Sequence, residues 1–191
     1  MVIIRDASYE DARSLLDIYD YYVQKTAISF EIKSPGINVF TDRMADIMRS
    51  YPYLVAEYDG RIAGYAYARP FVGREAYSHS CETTIYVDHE LKGKGIGRKL
   101  YDDLEKRLKD MGITNLYACI GYTDNEDIYL TNDSARFHEH MGYKKAGTFR
   151  KCGRKFGRWY DMIWMEKLLQ PHRDDAGEII PYKSKRYQDI T

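Results

Sequence analysis

Residues 91–108 read LKGKGIGRKLYDDLEKRL, a glycine-rich turn followed by a run with helical periodicity. Ile96, Leu100 and Leu104 recur on one helix face, and Gly112 stands where such a helix would end. CETTIYVD before the turn and TNLYACI after the helix have the composition of strands. Because glycines let the backbone amides at a helix start approach an anion closely, this order of strand, turn, helix and strand predicts a phosphate-binding unit.

Three phosphate-binding motifs contain glycine-rich turns of this kind. A P-loop requires Gly-Lys-Ser or Gly-Lys-Thr, which the sequence does not contain. A Rossmann turn requires G-x-G-x-x-G and an acidic residue closing the next strand, but here the glycines are residues 93, 95 and 97 and that strand ends ACIGY. The third motif, Q/R-x-x-G-x-G/A, fits residues 92–97 everywhere except at Lys92, which keeps the positive charge but loses the bidentate fork of arginine.

The composition limits the class of protein. The 191 residues carry 29 basic and 29 acidic side chains, so we expect no generic binding of nucleic acid or anionic membranes. The N-terminus MVIIRDASYED lacks the apolar stretch of a signal peptide, and no apolar run is long enough to cross a bilayer, which predicts a cytoplasmic protein. Cys81, Cys119 and Cys152 form no CxxC pair, so we expect reduced thiols and no metal site.

The remaining chain predicts one domain, residues 1–169, followed by a polar tail, residues 170–191. The predicted order is β α α β β β α β α β β, which gives a mixed sheet with helices on its faces, an α+β architecture. Ser8 and Asp11 predict a capping box before the first helix, and Thr41 predicts the start of the second. Asp59-Gly60 predicts a tight hairpin turn. Residues 133–141 read as a short helix ended by Gly142, and the runs near 143–150 and 158–168 as a closing hairpin.

The turn and its flanking elements resemble the GNAT family of acetyl-CoA-dependent N-acetyltransferases. Longer stretches resemble its phosphinothricin acetyltransferase branch: YPYLVAEYDGRIAGYAYARP, ETTIYVD, GKGIGRKLYDDL, RFHEHMGY and FGRWYDMIW. The resemblance covers residues 2–168 and implies a GNAT fold, a mixed, mostly antiparallel central sheet flanked by helices. It also implies acetyl-CoA as cosubstrate, no metal and a homodimer. The implied reaction is direct transfer of acetyl to the α-amine of a small amino acid or analogue, such as phosphinothricin, methionine sulfone or methionine sulfoximine.

The same resemblance assigns residues to the coenzyme. These are Ile85, Tyr86, Val87, Lys92, Gly93, Lys94, Gly95, Ile96, Gly97, Arg98, Lys99, Asn132 and Ser134. A backbone N–H near Tyr86 or Val87 is expected to bind the thioester oxygen, provided that the strand is splayed there. The family's asparagine before Ser134 is matched only loosely in YLTNDSARFH, so Thr131, Asn132 and Asp133 all remain candidates for its place.

Glu82 and His138 are the catalytic candidates. A carboxylate in the apolar run CETTIYV is costly to bury unless it is solvated, paired with an arginine or used in function. The resemblance implies that Glu82 is the general base, and we expect it to act through water because a carboxylate is a weak base towards an ammonium group. His138 is expected to donate to the leaving thiolate, to help Glu82 move its proton, or to fill a helix face, and these three alternatives stay open. His140 should point elsewhere, and the HEH triplet lacks the HExxH spacing of a metal site.

For the acceptor, the resemblance implies contacts from Phe30, Arg74 and Tyr77, with Arg74 able to clamp a carboxylate. Val72 stands where some relatives carry lysine, which favours neutral analogues such as methionine sulfone. One alternative keeps the fold and changes the acceptor to a protein N-terminus, a polyamine or an aminoglycoside. A second alternative is a non-catalytic acetyl-CoA-binding module.

Overall fold

The computed structural model describes residues 1–183 and contains seven strands and four α-helices in the predicted order. They are β1 (Val2–Asp6), α1 (Ala12–Lys25), α2 (Ile37–Met48), β2 (Tyr53–Tyr58), β3 (Arg61–Pro70), β4 (Ser80–Val87), α3 (Ile96–Asp110), β5 (Asn115–Tyr122), α4 (Asp133–His140), β6 (Lys144–Lys155) and β7 (Arg158–Leu168). None of these helices is both long enough and apolar enough to span a membrane.

The strands form one sheet in the order β1-β2-β3-β4-β5-β7-β6. Every neighbouring pair is antiparallel except β4 and β5, which are parallel and pair only from Ser80 to Glu82. Beyond Glu82 the two strands separate, which opens the middle of the sheet. The hairpin of β2 and β3 turns at Asp59 and Gly60 with φ of 49° and 80°, as a type I′ turn requires.

Helices cover both faces of the sheet, each over its own apolar core. Buried residues of α1 and α2, such as Leu15 and Met44, pack with Tyr65 and its neighbours on one face. On the other face, α3 and α4 contribute residues such as Leu100 and Ala135 to a larger core. The predicted mixed, mostly antiparallel sheet flanked by helices is therefore confirmed.

Local sequence signals located some element ends and missed others. The predicted capping box is present, because the Ser8 N–H donates to Asp11 Oδ2 at 2.7 Å, although a short 3₁₀ turn precedes α1. The prediction that Thr41 begins α2 is wrong. The helix already starts after Gly36, and the Thr41 hydroxyl donates to the Ile37 carbonyl from inside it.

The closing hairpin is longer than predicted. Strand β6 extends to Lys155 instead of residue 150, and its pairing with β7 shifts between Phe149 and Gly153. Lys151 has a φ of 48°, so the backbone kinks there. The polar run at this point carries no alternation that would identify it as a strand.

The described part of the tail lies against the domain. The Ile180 N–H donates to the Met111 carbonyl and the Tyr182 N–H to the Ser50 carbonyl. The Tyr182 hydroxyl donates to Asp6 and contacts Arg107. The division into residues 1–169 and a tail stays a prediction, and residues 184–191 of that tail lie outside the described residues.

Candidate active site

The glycine turn forms the start of α3 in the conformation that an anion-binding turn requires. Gly93 and Gly95 have φ of 77° and 75°, which side-chain-bearing residues rarely adopt, and Gly95 is the N-cap of α3. Apart from the chain neighbours, no atom of residues 1–183 lies within 4 Å of the Cβ that a larger residue would add at either position. Glycine is thus needed here for backbone conformation, and the first amides of α3 have no acceptor within the helix.

Four cations surround this turn. Lys92 lies over the Tyr22 ring, with Nζ 5.9 Å from its centroid, and Lys94 lies over Tyr58 at 5.2 Å. Within residues 1–183, neither these lysines nor Arg98 and Lys99 form an ion pair with a carboxylate. Unpaired cations beside free amides make this end of α3 suitable for phosphate groups.

A groove of about 590 Å³ leads away from the turn, between the end of β4 and helix α4. Its lining is mainly apolar: Tyr22, Ile28, Ile85, Tyr86, Val87, Leu91, Lys92, Gly93, Gly95, Ile96, Gly97, Arg98, Asp133, Ser134, Phe137, His140 and Met141. A groove with a cationic, amide-rich end and a mainly apolar channel fits a ligand with phosphates at one end and a long uncharged arm. The chemistry of acetyl-CoA matches both parts.

The opening between β4 and β5 continues this groove into the sheet. A cavity of about 60 Å³ shares Ile28, Ile85, Tyr86 and Ser134 with the groove. Beyond Glu82, the edge of β4 that faces β5 has no strand partner within the described chain. The strand is therefore splayed where the coenzyme prediction required it, which leaves backbone N–H groups of this edge without a strand partner, while the Val87 carbonyl accepts a hydrogen bond from the Tyr22 hydroxyl.

Glu82 is buried and paired with an arginine. Nη2 of Arg69 lies 2.8 Å from Oε1 and 2.9 Å from Oε2 of the carboxylate. The two residues are opposite each other in the β3–β4 register. Thr83 and Thr84, which follow Glu82, line the cavity. Of the three explanations for a carboxylate in this strand, the structure shows the arginine pair, next to the cavity.

His138 is buried on the other side of β4. Its Nε2 lies 2.9 Å from the Tyr101 hydroxyl and its Nδ1 lies 2.7 Å from the Ser134 carbonyl oxygen. Burial lowers the pKa of His138 to about 4, so the ring is neutral at neutral pH. Tyr101 also contacts Thr83, whose side chain points away from that of Glu82 because strand residues alternate. The structure therefore does not bring His138 and Glu82 together.

Two predicted coenzyme residues at the start of α4, Asn132 and Ser134, have different surroundings. Ser134 lines both the groove and the cavity. The Asn132 amide instead bonds both backbone groups of Thr123, at 2.9 and 3.3 Å, and so holds the preceding loop. Its side chain does not line the groove, and its contact with the coenzyme stays a prediction. His140 is exposed on the next turn and lines the groove.

The predicted acceptor residues lie on two loops. The Phe30 ring packs on Gly153, where an added Cβ would come within 2.3 Å of it. Tyr77 is edge-on to Phe71, and Phe71 stacks on Tyr117 at 4.1 Å, the β5 residue opposite Glu82. Arg74 is exposed on the same loop. The structure gives it no ion pair among residues 1–183, and the acceptor roles stay predictions.

Two residues of the site were missed in the sequence. Arg69 lies in the β-rich run RIAGYAYARP, and only the strand register shows that it faces Glu82. Tyr101 follows Leu100 on the buried side of α3, so its burial could have been inferred from periodicity, but its contact with His138 could not.

Comparison with known proteins identifies the family. Residues 4–164 match the family model described as an acetyltransferase (GNAT) domain. The chain belongs to the GNAT acetyltransferase family. The phosphinothricin N-acetyltransferase of Streptomyces viridochromogenes is 36% identical over 172 residues, which cover 89% of this chain and 90% of that protein. The L-methionine sulfoximine/L-methionine sulfone acetyltransferase of Pseudomonas paraeruginosa is 33% identical, over 89% of this chain and 96% of that protein.

A solved structure gives the same result for the fold of this GNAT chain. The crystal structure of a GNAT superfamily phosphinothricin acetyltransferase from Sinorhizobium meliloti in complex with AcCoA has a TM-score of 0.83 and 30% identity. The match covers 96% of this chain and 99% of that chain. The predicted GNAT fold and the prediction of an acetyl-CoA-dependent N-acetyltransferase are confirmed.

Proposed function

We propose that this GNAT enzyme acetylates the α-amine of a small amino acid or amino acid analogue. The names of the relatives support this acceptor class, since they act on phosphinothricin or on methionine sulfoximine and sulfone. The observation that carries the proposal is the ion pair of the buried Glu82 with the half-exposed Arg69, next to the cavity that continues the groove. It offers a carboxylate to an amine and a cation to an anionic group.

Acetyl-CoA supplies the acetyl group as a thioester. The amides of the turn from Gly93 to Gly97 and the surrounding cations are proposed to bind its phosphates. The apolar lining near Ile85 and Phe137 would hold the arm that carries the thioester. The unpaired edge of β4, at Tyr86 or Val87, supports a backbone donor for the thioester oxygen.

Glu82 is proposed to take the ammonium proton through a water molecule, which leaves a neutral amine for direct attack. The pairing with Arg69 supports this route, because both carboxylate oxygens already accept a hydrogen bond from the arginine. His138 is proposed to act as a positioning residue. It accepts a hydrogen bond from the Tyr101 hydroxyl and so fixes that hydroxyl at the wall of the cavity.

We also propose a cytoplasmic homodimer. Its support is the edge strand β6 and its hairpin with β7, which expose the large apolar side chains of Phe149, Phe156 and Trp159. Sedimentation of the wild-type protein and of Trp159→Glu would test the dimer. We expect the variant to shift to the monomer.

The function is tested by thiol release from acetyl-CoA with phosphinothricin, methionine sulfone, methionine sulfoximine, spermidine and an aminoglycoside as acceptors. We expect turnover on the amino acid analogues, and a fall in kcat of about 10²- to 10⁴-fold in Glu82→Gln. Glu105→Gln is the matched control, because it also removes a part-buried carboxylate, one that is paired with Lys167. Turnover only on polycations would assign another acceptor class, and binding of acetyl-CoA without turnover would indicate a binding module.

A further inference from the structure

In the ion pair of Arg69 and Glu82, the carboxylate is buried and the guanidinium is half exposed to solvent. A single nitrogen, Nη2, donates to both carboxylate oxygens. The side chain of Glu82 is 11% exposed, whereas that of Arg69 is 52% exposed. Nε and Nη1 of Arg69 form no hydrogen bond to any residue from 1 to 183, so the N–H groups on these two nitrogens remain unused.

The pairing of strands β3 and β4 fixes the position of the Arg69 side chain. Arg69 stands opposite Glu82 in the β3–β4 ladder, and Pro70 opposite Cys81 ends the strand. Two residues before it, Tyr67 is partly buried on the same face of the sheet. Arg74, the arginine predicted to bind a carboxylate, is exposed on the loop that follows and has no ion pair among the described residues. Arg69 is therefore the cation that a regular strand holds opposite Glu82, whereas Arg74 lies on a loop.

A neighbouring anion and cation are complementary to a zwitterion. An α-amino acid carries its ammonium and carboxylate on one carbon atom, so the two groups are as close together as the two charges of this pair. The ammonium would lie at Glu82 and the carboxylate at the unused donors of Arg69. Because Nη2 is taken by Glu82, the acceptor carboxylate would receive a charge-assisted hydrogen bond from Nε–H or from Nη1–H. The guanidinium is half-shielded from water here, which strengthens that contact.

Building on the proposed function, we infer that Arg69 binds the α-carboxylate of the acceptor while it remains paired with Glu82. The pair selects zwitterionic α-amino acids. Polyamines, aminoglycosides and protein N-termini lack a carboxylate beside the amine, and would leave the half-buried guanidinium without its second partner. Arg74 remains free for a more distant group of the acceptor.

The test compares methionine sulfone with its carboxamide, which keeps the amine and loses the carboxylate charge. We expect the wild-type kcat/KM to favour the carboxylate by about 100-fold, since a site built around a charged partner discriminates strongly. Arg69→Gln should reduce this ratio to below about 10-fold, mainly through KM for methionine sulfone. Arg69→Lys should keep part of the preference, because it retains the charge. Arg74→Gln tests the competing assignment of the carboxylate to Arg74, and it should leave the ratio near the wild-type value.

The outcomes separate the two proposals. A ratio that is unchanged in Arg69→Gln, with both substrates slowed equally, would overturn the role of Arg69 and leave it as a partner of Glu82 alone. Loss of the preference in Arg74→Gln instead would also overturn it. Wild-type protein that turns over neither substrate would overturn the proposed function, and the role of Arg69 with it. Stabilisation by acetyl-CoA in thermal melting verifies that each variant is folded.

Discussion

The Tyr101 hydroxyl lies 2.9 Å from Nε2 of His138, and both side chains are buried. Nδ1 of the same ring lies 2.7 Å from the Ser134 carbonyl oxygen, which only accepts hydrogen bonds. Nδ1 therefore carries the proton of the neutral ring, and Nε2 accepts from Tyr101. The ring is neutral, and its one proton, on Nδ1, is already donated to the Ser134 carbonyl. His138 therefore has no proton to donate to the cavity in this arrangement.

The stability of the protein should depend on pH through His138. Its pKa is about 4 in the folded protein and about 6.5 in the unfolded chain. As pH falls below 6.5, the unfolded chain binds a proton here that the folded protein does not, so stability is lost on acidification. Between pH 7 and pH 4.5, we expect the free energy of unfolding to fall by about 2 to 3 kcal/mol more in the wild type than in His138→Gln. Urea denaturation at both pH values measures the difference.

His140→Gln is the control for this measurement, because His140 is exposed on the same helix. It should follow the wild-type pH dependence. Equal losses in the wild type and in His138→Gln would mean that the folded protein protonates His138 without penalty, and the assignment of a neutral, buried acceptor would be wrong.

Local signals account for what the sequence predicted. The φ values at Gly93, Gly95 and the Asp59-Gly60 turn follow from residues that are adjacent in the chain. The start of α2 was predicted too late because threonine is a better capping residue than glycine. The apolar residues Ile37, Phe40 and Met44 share one helix face, and this spacing indicates the earlier start after Gly36.

The missing parts of the site are contacts between distant segments. Arg69 reaches Glu82 only through the register of β3 with β4, and Tyr101 reaches His138 from another helix. Alternation and periodicity predict which face a residue occupies, but not which residue of the next element lies opposite. The arginine pair was therefore one of several alternatives in the sequence and became definite only with the fold.

Gly95→Ala should weaken acetyl-CoA binding. The added methyl group meets no atom of the described residues beyond its chain neighbours, but a left-handed φ costs an alanine about 1 to 2 kcal/mol. If the turn relaxes to avoid this cost, its amides leave the positions that face the phosphates, so we expect KM for acetyl-CoA to rise about 5- to 30-fold. Steady-state kinetics with saturating acceptor measure this effect.

Gly147→Ala is the matched control, since Gly147 also has open space around it and has no left-handed φ. It should leave KM unchanged. A lower melting temperature for Gly95→Ala with an unchanged KM would show that the turn keeps its strained form and that the cost falls on stability alone.

Lys92 should contribute charge to coenzyme binding. Lys92→Ala removes one of the unpaired cations of the turn, and we expect KM for acetyl-CoA to rise about 3- to 10-fold at low ionic strength. The effect should shrink as salt is added. Lys92→Arg restores the charge and adds the bidentate fork, so its KM should be at or below the wild-type value. Lys106→Ala is the control, because Lys106 is exposed on α3. An equal rise of KM in that variant would mean that only the overall charge of the protein matters, and not the position of Lys92.

The tail should stabilise the domain through Tyr182. Its hydroxyl donates to Asp6 Oδ1 at 2.7 Å and its ring packs against the larger core. Tyr182→Phe removes a hydrogen bond to a charged group and should lower the free energy of unfolding by about 1 to 2 kcal/mol. Tyr182→Ala also removes the ring, so its loss should be larger, about 2 to 4 kcal/mol. Lys183→Ala is the control, because Lys183 is an exposed neighbour, and it should change the free energy of unfolding by less than about 0.5 kcal/mol. Urea denaturation of the three variants ranks these effects, and a Tyr182→Ala value as small as that of Lys183→Ala would show that the tail is detached in solution.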